Sequence, residues 1–272
     1  MIVYQSRFLI RGEVWFDNSP SKTPVDWIVY HQRSRPFPKA NWRPFYTRVV
    51  DLAQTPETLL GQMDGFTAAD IRKAQKKDLT VCHRLAANDA EVMNNFCDFY
   101  DRFAARRELG RADRYWLSRT AEAGNLDLWA ANSSKGERLA FYVLYRERNR
   151  VRGVHMASLH AEASGKEAQR KIGRANRLLA WQCMLYYREE GAQIFDLGGW
   201  YNGTTDLARL GINKFKESLG GKVVCEYEGE QLLTFKAWSA VRAARLWQRL
   251  KDWRASRGQP RPANLPLTPA LQ

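Results

Sequence analysis

The chain has 272 residues, enough for one large domain or two small ones, with a core that needs neither disulfide nor metal to persist. Its formal charge of +14 attracts polyanions: nucleic acid, anionic lipid headgroups or phosphorylated substrates. No window reaches the ~20 apolar residues of a spanning helix, and four scattered cysteines (Cys82, Cys97, Cys183, Cys225) argue for a reducing compartment, with cytoplasm as the default, and against a zinc site.

Residues 1–16 and 25–32 read as strands joined by the turn-rich run 17–24. Charge interrupts 1–11, so the start is not a signal peptide. The basic, proline-containing stretch 31–44 either reaches over a site or is an ordinary connector. A strand over 46–52 precedes the capping signal Thr55-Pro56-Glu57 and a helix ending in the basic run 70–77. A strand at 79–84 follows, then a long helix over 90–109 and a second helix near 113–123. Strands are expected at 126–131, 138–146 and 151–159, with turns at Lys135-Gly136 and Asn149. A polar loop leads to Arg170-Lys171-Ile172-Gly173-Arg174-Ala175, which opens a helical pattern over 176–190 that stops at Gly191.

An apolar strand over 193–197 ends on Asp196-Leu197-Gly198-Gly199-Trp200. After a short loop, Gly211-Ile212-Asn213-Lys214-Phe215-Lys216 begins a basic helix stopped by Gly220-Gly221. Glycine lets backbone approach a ligand and supplies the positive φ that ends a helix. A strand-end carboxylate facing a lysine-bearing helix across that gap suits polar chemistry; the plainer reading is a βα turn with ordinary caps. Strands 222–228 and 231–235 are joined at Gly229. The segment 237–257 reads as a basic amphipathic helix. At ~100° per residue, Arg242, Arg245 and Arg249 share one face, and Ala240, Ala243, Trp247 and Leu250 the other. Such a helix suits an anionic membrane surface, or else its apolar face packs on the domain. Beyond Gly258 the Pro-rich tail reads as disordered.

The order of strand, Arg-x-x-Gly-x-Ala, helix, strand with Asp-x-Gly-Gly, and helix with Phe-Lys resembles the GNAT acyltransferases. Asp196 to Gly199, Gly211 to Gly221 and residues 46–81 resemble more specifically the FemA/FemB/FemX branch, the peptidoglycan bridge-forming transferases. The resemblance covers about 46–233. Members of that branch usually carry two GNAT-like domains, and this chain has room for one, so the usual acceptor-binding half is missing or much reduced.

The resemblance implies an α+β fold, a mixed and mostly antiparallel sheet flanked by helices. It would comprise a β-rich extension (1–44), a transferase domain (45–236), the basic helix (237–257) and the tail (258–272). It implies that Arg170, Gly173, Arg174 and Ala175 hold the pyrophosphate of an acyl-CoA donor against the amides of a helix start. Arg174 and Arg177 also read as solvated helix arginines. Asp196 would orient the acceptor amine or take its proton, Lys216 would stabilise the transition-state charge, and Tyr201 would protonate the leaving group. Gly198, Gly199, Trp200, Lys214 and His155 would contact substrate. His155 and His160 fall on opposite strand faces, so no joint metal site is expected; either is a base titrating near neutrality or a structural histidine.

Three functions follow. The first is an acyltransferase moving an acyl group from acyl-CoA to an amine of an amino sugar or a cell-envelope glycan or lipid-linked precursor, acting in the cytoplasm or at the inner face of the plasma membrane. The second is an aminoacyl-tRNA-dependent transferase, favoured by the positive charge. The third is a non-catalytic basic module that docks on RNA or membrane.

Overall fold

The computed structural model describes residues 1–107 and 109–257; the tail expected to be disordered lies outside the described residues. Ten strands and seven α-helices are described. The strands are β1 (Ile2–Ser6), β2 (Leu9–Trp15), β3 (Trp27–Arg33), β4 (Asn41–Asp51), β5 (Val81–Leu85), β6 (Leu126–Asn132), β7 (Arg138–Glu147), β8 (Arg150–Ser158), β9 (Ile194–Gly199) and β10 (Lys222–Leu232). The helices are α1 (Pro56–Gly61), α2 (Gly65–Lys76), α3 (Ala90–Ala105), α4 (Arg114–Glu122), α5 (Lys166–Glu189), α6 (Leu207–Ser218) and α7 (Phe235–Arg257).

All ten strands form one sheet in the order β1-β2-β3-β10-β4-β9-β8-β7-β6-β5. Pairing is antiparallel except for β2 with β3 and β8 with β9. This is the mixed, mostly antiparallel α+β arrangement expected. Strand alternation sends side chains to two cores. Tyr142 and Leu144 of β7 join Val151, Phe195 and the apolar stripe of α5 on one face. Phe141 and Val143 join Phe96, Phe99 and Tyr100 of α3 on the other.

The sheet curls over the α3 face. In a flat sheet, β2 and β7, six positions apart, would be ~29 Å from each other at ~4.8 Å per strand. Instead Trp15 of β2 stacks on Tyr145 of β7 with ring centroids 4.1 Å apart. Ile2, Tyr4 and Phe16 close around that pair. Curling turns the middle of the concave face, lined by β3, β10, β9 and β8, into an interior.

Several elements differ from the sequence reading, each for a local reason. The stretch 1–16 is a hairpin rather than one strand, turning at Arg7 in the left-handed region (φ 57°). The helix expected after Thr55 is two helices, because the Asp64 carboxylate accepts from the Thr67 amide at 2.7 Å and starts α2 afresh. The long helix expected to reach 109 ends at Ala105. Gly229 does not break the last strand: β10 runs through it with a register shift against β3. A side chain there would strike the Trp42 ring, whose nearest atom lies 2.4 Å from an added Cβ.

The largest difference is in α5, which starts at Lys166, ten residues before the segment assigned to it from periodicity. Lys166 to Lys171 contains strong helix formers, and a single interior glycine costs only about 1 kcal/mol. Gly173 is therefore a mid-helix residue.

Candidate active site

The parallel pair β8–β9 is short. Its register runs Arg150 to Ile194, Val151 to Phe195 and Arg152 to Asp196, and there it ends. Beyond Gly153, β8 follows β7, with a register shift between Val143 and Leu144. Meanwhile β9 follows β4, where Gly199 pairs with Thr47 across another shift. The strands part between Gly153 and Gly198. Gly198 has φ 79°, and an added Cβ would sit 2.7 Å from the Gly153 carbonyl oxygen, so no side chain fits at this crossing.

A cavity of about 530 Å³ opens where the strands separate. Its apolar wall includes Tyr100, Phe103, Met156 and Phe215. Its cations are Arg107, Arg152, Arg177 and Lys216, and His155 and His160 complete the polar lining. No carboxylate lines it among the described residues.

Lys216 arrives on α6. The Asp206 carboxylate caps that helix by accepting from the Arg209 amide at 3.0 Å. One turn before Lys216, Asn213 clamps the loop after β9. Its Oδ1 accepts from the Tyr201 amide (3.1 Å) and its Nδ2 donates to the Tyr201 carbonyl (2.7 Å). The Lys216 ammonium donates to the Gly199 carbonyl at 2.5 Å. Burial pulls its pKa down to about 8; the Asp196 carboxylate opposes that shift, and the Arg152 charge adds to it.

Asp196 lies behind the cavity, fully buried. One oxygen accepts from the Thr47 hydroxyl (2.5 Å) and the Gly198 amide (2.7 Å). The other accepts from Arg150 (2.5 Å) and Gln32 (2.6 Å). Burial alone would raise its pKa, but Arg150 and Arg152 outweigh it and hold the group ionised. The expected proton acceptor is thus a saturated carboxylate that fixes the Gly198 turn and does not line the cavity.

The remaining expected site residues divide. Gly198, Gly199, Gly173 and His155 line the cavity. His155 packs on Tyr100 with centroids 4.3 Å apart, and burial, reinforced by Arg152, lowers its pKa to about 4. Trp200 and Tyr201 line an adjoining pocket of about 330 Å³ with Phe45, Tyr46 and Arg209, and the two spaces meet at Gly199 and Ile212. The Tyr201 hydroxyl pairs with Thr205 at 3.3 Å, so the expected proton donor belongs to this second pocket. Lys214 points to solvent from the outer face of α6.

The expected phosphate cradle is corrected in three of its four positions. Arg170 is 70 % exposed on the outside of α5. Arg174 is buried in ion pairs with Asp78 (2.5 Å) and Glu167 (3.0 Å). Ala175 is core. Amides inside a helix are already bonded to the preceding turn, so this run offers none to a phosphate.

The sequence reading gives no site role to Arg152 or Asn176 and takes Arg177 for a solvated helix arginine. The Arg152 guanidinium makes no ion pair within 4 Å and no hydrogen bond among the described residues; it lies over the rings of Trp15 and Phe45 at 5.1 and 5.3 Å. Burial lowers its pKa. Its Nε and the Asn176 Oδ1 are buried polar atoms without a partner, and both residues line the cavity. Arg152 in the strand expected at 151–159, with Arg150 two residues before it, is the available signal, since strand residues two apart face one side.

No protein-family model matches this sequence, and no curated protein does. Among solved structures, FemX matches with a TM-score of 0.55 and 15 % identity over 72 % of this chain and 63 % of FemX. The fold is that of FemX. The chain thus spans less than two thirds of that protein, and the likeness establishes architecture alone. L-PGS from Bacillus licheniformis matches with a TM-score of 0.48 and 15 % identity over 80 % of this chain and 72 % of that one. Saccharomyces cerevisiae N-myristoyltransferase with bound myristoyl-CoA matches with a TM-score of 0.38 and 14 % identity over 75 % and 51 %. The expected α+β architecture, a mixed and mostly antiparallel sheet flanked by helices, holds.

Proposed function

We propose that this chain is an N-acyltransferase that moves an acyl group from acyl-CoA to an amine of an amino sugar or a cell-envelope glycan or lipid-linked precursor. The observation that carries the proposal is the cavity at the parting of β8 and β9, which joins a buried lysine to an apolar wall and lacks any carboxylate among the described residues. A donor with an apolar arm and phosphates suits that lining. Arg107 and Arg177 supply positive charge for the phosphates, and Arg152 and Asn176 add polar groups to the lining.

In the reaction, the amine nitrogen bonds to the thioester carbonyl carbon and the carbonyl oxygen takes up negative charge. The C–S bond then breaks, the amide carbonyl forms, the nitrogen loses a proton and the departing thiolate gains one. Lys216 stabilises the oxygen charge: with a pKa of about 8 it is protonated roughly ten to one at pH 7. His155 stays neutral at that pH and offers the incoming amine a hydrogen-bond acceptor. The second pocket, walled by Phe45, Tyr46, Trp200 and Tyr201, suits the faces of a sugar ring.

A second reading, transfer from aminoacyl-tRNA, draws support from the helical state of Arg170 to Ala175 and from the net charge of +14. Against it, an aminoacyl ammonium would meet the cations Arg107, Arg152, Arg177 and Lys216 and, among the described residues, no carboxylate. Thermal shift separates the two. Acetyl-CoA should raise the unfolding midpoint, and thiol release should follow when amino sugars are added. Salt-sensitive tRNA binding with no response to acetyl-CoA would replace the first reading by the second.

A further inference from the structure

Away from the cavity, the ends of β2, β3 and β10 form a second chemically distinctive surface. Arg11, Trp27 and Leu232 form one cross-strand row, so Ile10, Asp26 and Leu233 form the next. Asp26 ties that row together. Its carboxylate accepts from the Ile10 amide (2.9 Å) and the Thr234 hydroxyl (2.8 Å), and Lys236 lies 3.5 Å away. Thr234 starts α7 by accepting from the Ala237 amide at 3.2 Å. The root of α7 is thereby fixed to the sheet, and Ala237 is its buried contact.

Large apolar side chains surround this tie and face solvent. Phe235 is 80 % exposed and Phe8 56 %, and Ile10, Leu233 and Trp238 are also exposed. They are one patch: Lys236 sits 5.9 Å from the Phe8 ring, Phe235 stacks on Trp238 at 5.7 Å, and Arg242 covers Trp238 at 4.3 Å. Farther along α7, Leu246 and Trp247 are 58 % exposed. The side chains of Arg245, Arg249 and Leu250 lie outside the described ones. In sequence, residues 235–257 hold seven Lys and Arg against one acidic residue, Asp252.

We propose that this patch docks the protein on an anionic phospholipid surface. Aromatic rings seated among cations match the boundary between headgroups and acyl chains, and the charge of the segment selects anionic lipid. No described helix is long and apolar enough to cross a membrane, and the proposed contact is through this surface patch. The patch row at Leu233 lies seven residues along the chain from Glu226, which pairs with Arg150, or ~23 Å at ~3.3 Å per residue. A docked enzyme would hold its cavity within reach of a lipid-linked acceptor.

Vesicle sedimentation tests this. With vesicles of 30 mol % phosphatidylglycerol in phosphatidylcholine, wild type should pellet, with binding lost on pure phosphatidylcholine and in 1 M salt. Phe235→Ser with Trp238→Ser should weaken binding at least tenfold. The unfolding midpoint should stay unchanged, since both rings are exposed. Quenching of wild-type tryptophan fluorescence by brominated lipid gives a readout without any variant. Equal binding to neutral and anionic vesicles, binding unchanged in the double variant, or a dimer by ultracentrifugation that the double variant dissociates would each overturn the proposal. The outcome is independent of whether acyl-CoA binds.

Discussion

Two neighbouring polar regions, one on either side of the β9 strand end, are built on opposite principles. The charges of the curled interior are paired, although Arg11 Nε, Arg150 Nε and Gln32 Oε1 lack hydrogen-bond partners there. Asp196 and Glu226 share Arg150, while Glu13 and Glu228 flank His31 and take Arg11 and Arg43. The cavity is left incomplete, with Lys216 drawn below its ordinary range and polar atoms of Arg152 and Asn176 unpaired. Paired charges hold a fold, and cations left without a carboxylate beside an open cavity are placed to meet a ligand. A perturbed or buried charge therefore does not mark chemistry until its partners are counted.

The contrast breaks most sharply at Asp196. Asp196→Ala leaves Arg150 and Gln32 facing a buried gap, and a loss of about 3–5 kcal/mol in unfolding free energy by urea titration is expected. An unfolding free energy like that of wild type, with transfer alone lost, would instead make Asp196 catalytic.

Lys216→Met should do the reverse. Transfer should fall about 10²–10³-fold with the structure retained. The folded pKa of about 8 lies below the unfolded value near 10.5. The unfolded chain thus binds the extra proton between those values, and wild-type stability should rise as pH climbs from about 8 to about 10.5. That rise should vanish in Lys216→Met, as read by unfolding at several pH values.

Gly198→Ala tests the crossing itself. An added Cβ at φ 79°, against the Gly153 carbonyl, should cost about 1–3 kcal/mol and lower activity with it. The smallest effect belongs to Arg170→Ala. This exposed side chain should change stability by less than about 0.5 kcal/mol and leave the acetyl-CoA dissociation constant unaltered, as measured by calorimetry.

Much of this molecule is legible in its sequence, and the failures share a cause. Lys216, Gly198 and Gly199 stand out because glycines and a lysine interrupt apolar periodicity locally. The position of Asp196 is equally legible, but its role is not. That role depends on Arg150, Thr47 and Gln32, which lie 46, 149 and 164 residues away in the chain. Gln32 reaches the interior only through its left-handed backbone (φ 54°). The cradle is not legible because Gly173 resembles a helix boundary in sequence, whereas the helix-forming run before it carries α5 through. The curl that encloses Arg152 rests on Trp15 meeting Tyr145, 130 residues apart in the chain, a contact no local pattern announces.

Gly211 borders the cavity, and nothing lies within 4 Å of an added Cβ, so a side chain can be started there and Gly211→Trp adds bulk at the cavity's edge. Calorimetric titration of acetyl-CoA into wild type and Gly211→Trp is the most direct test of the site. Saturable binding to wild type, abolished in the variant at an unchanged unfolding midpoint, is the predicted result. No binding to wild type, or equal binding to both, would contradict the assignment of this cavity to an acyl donor.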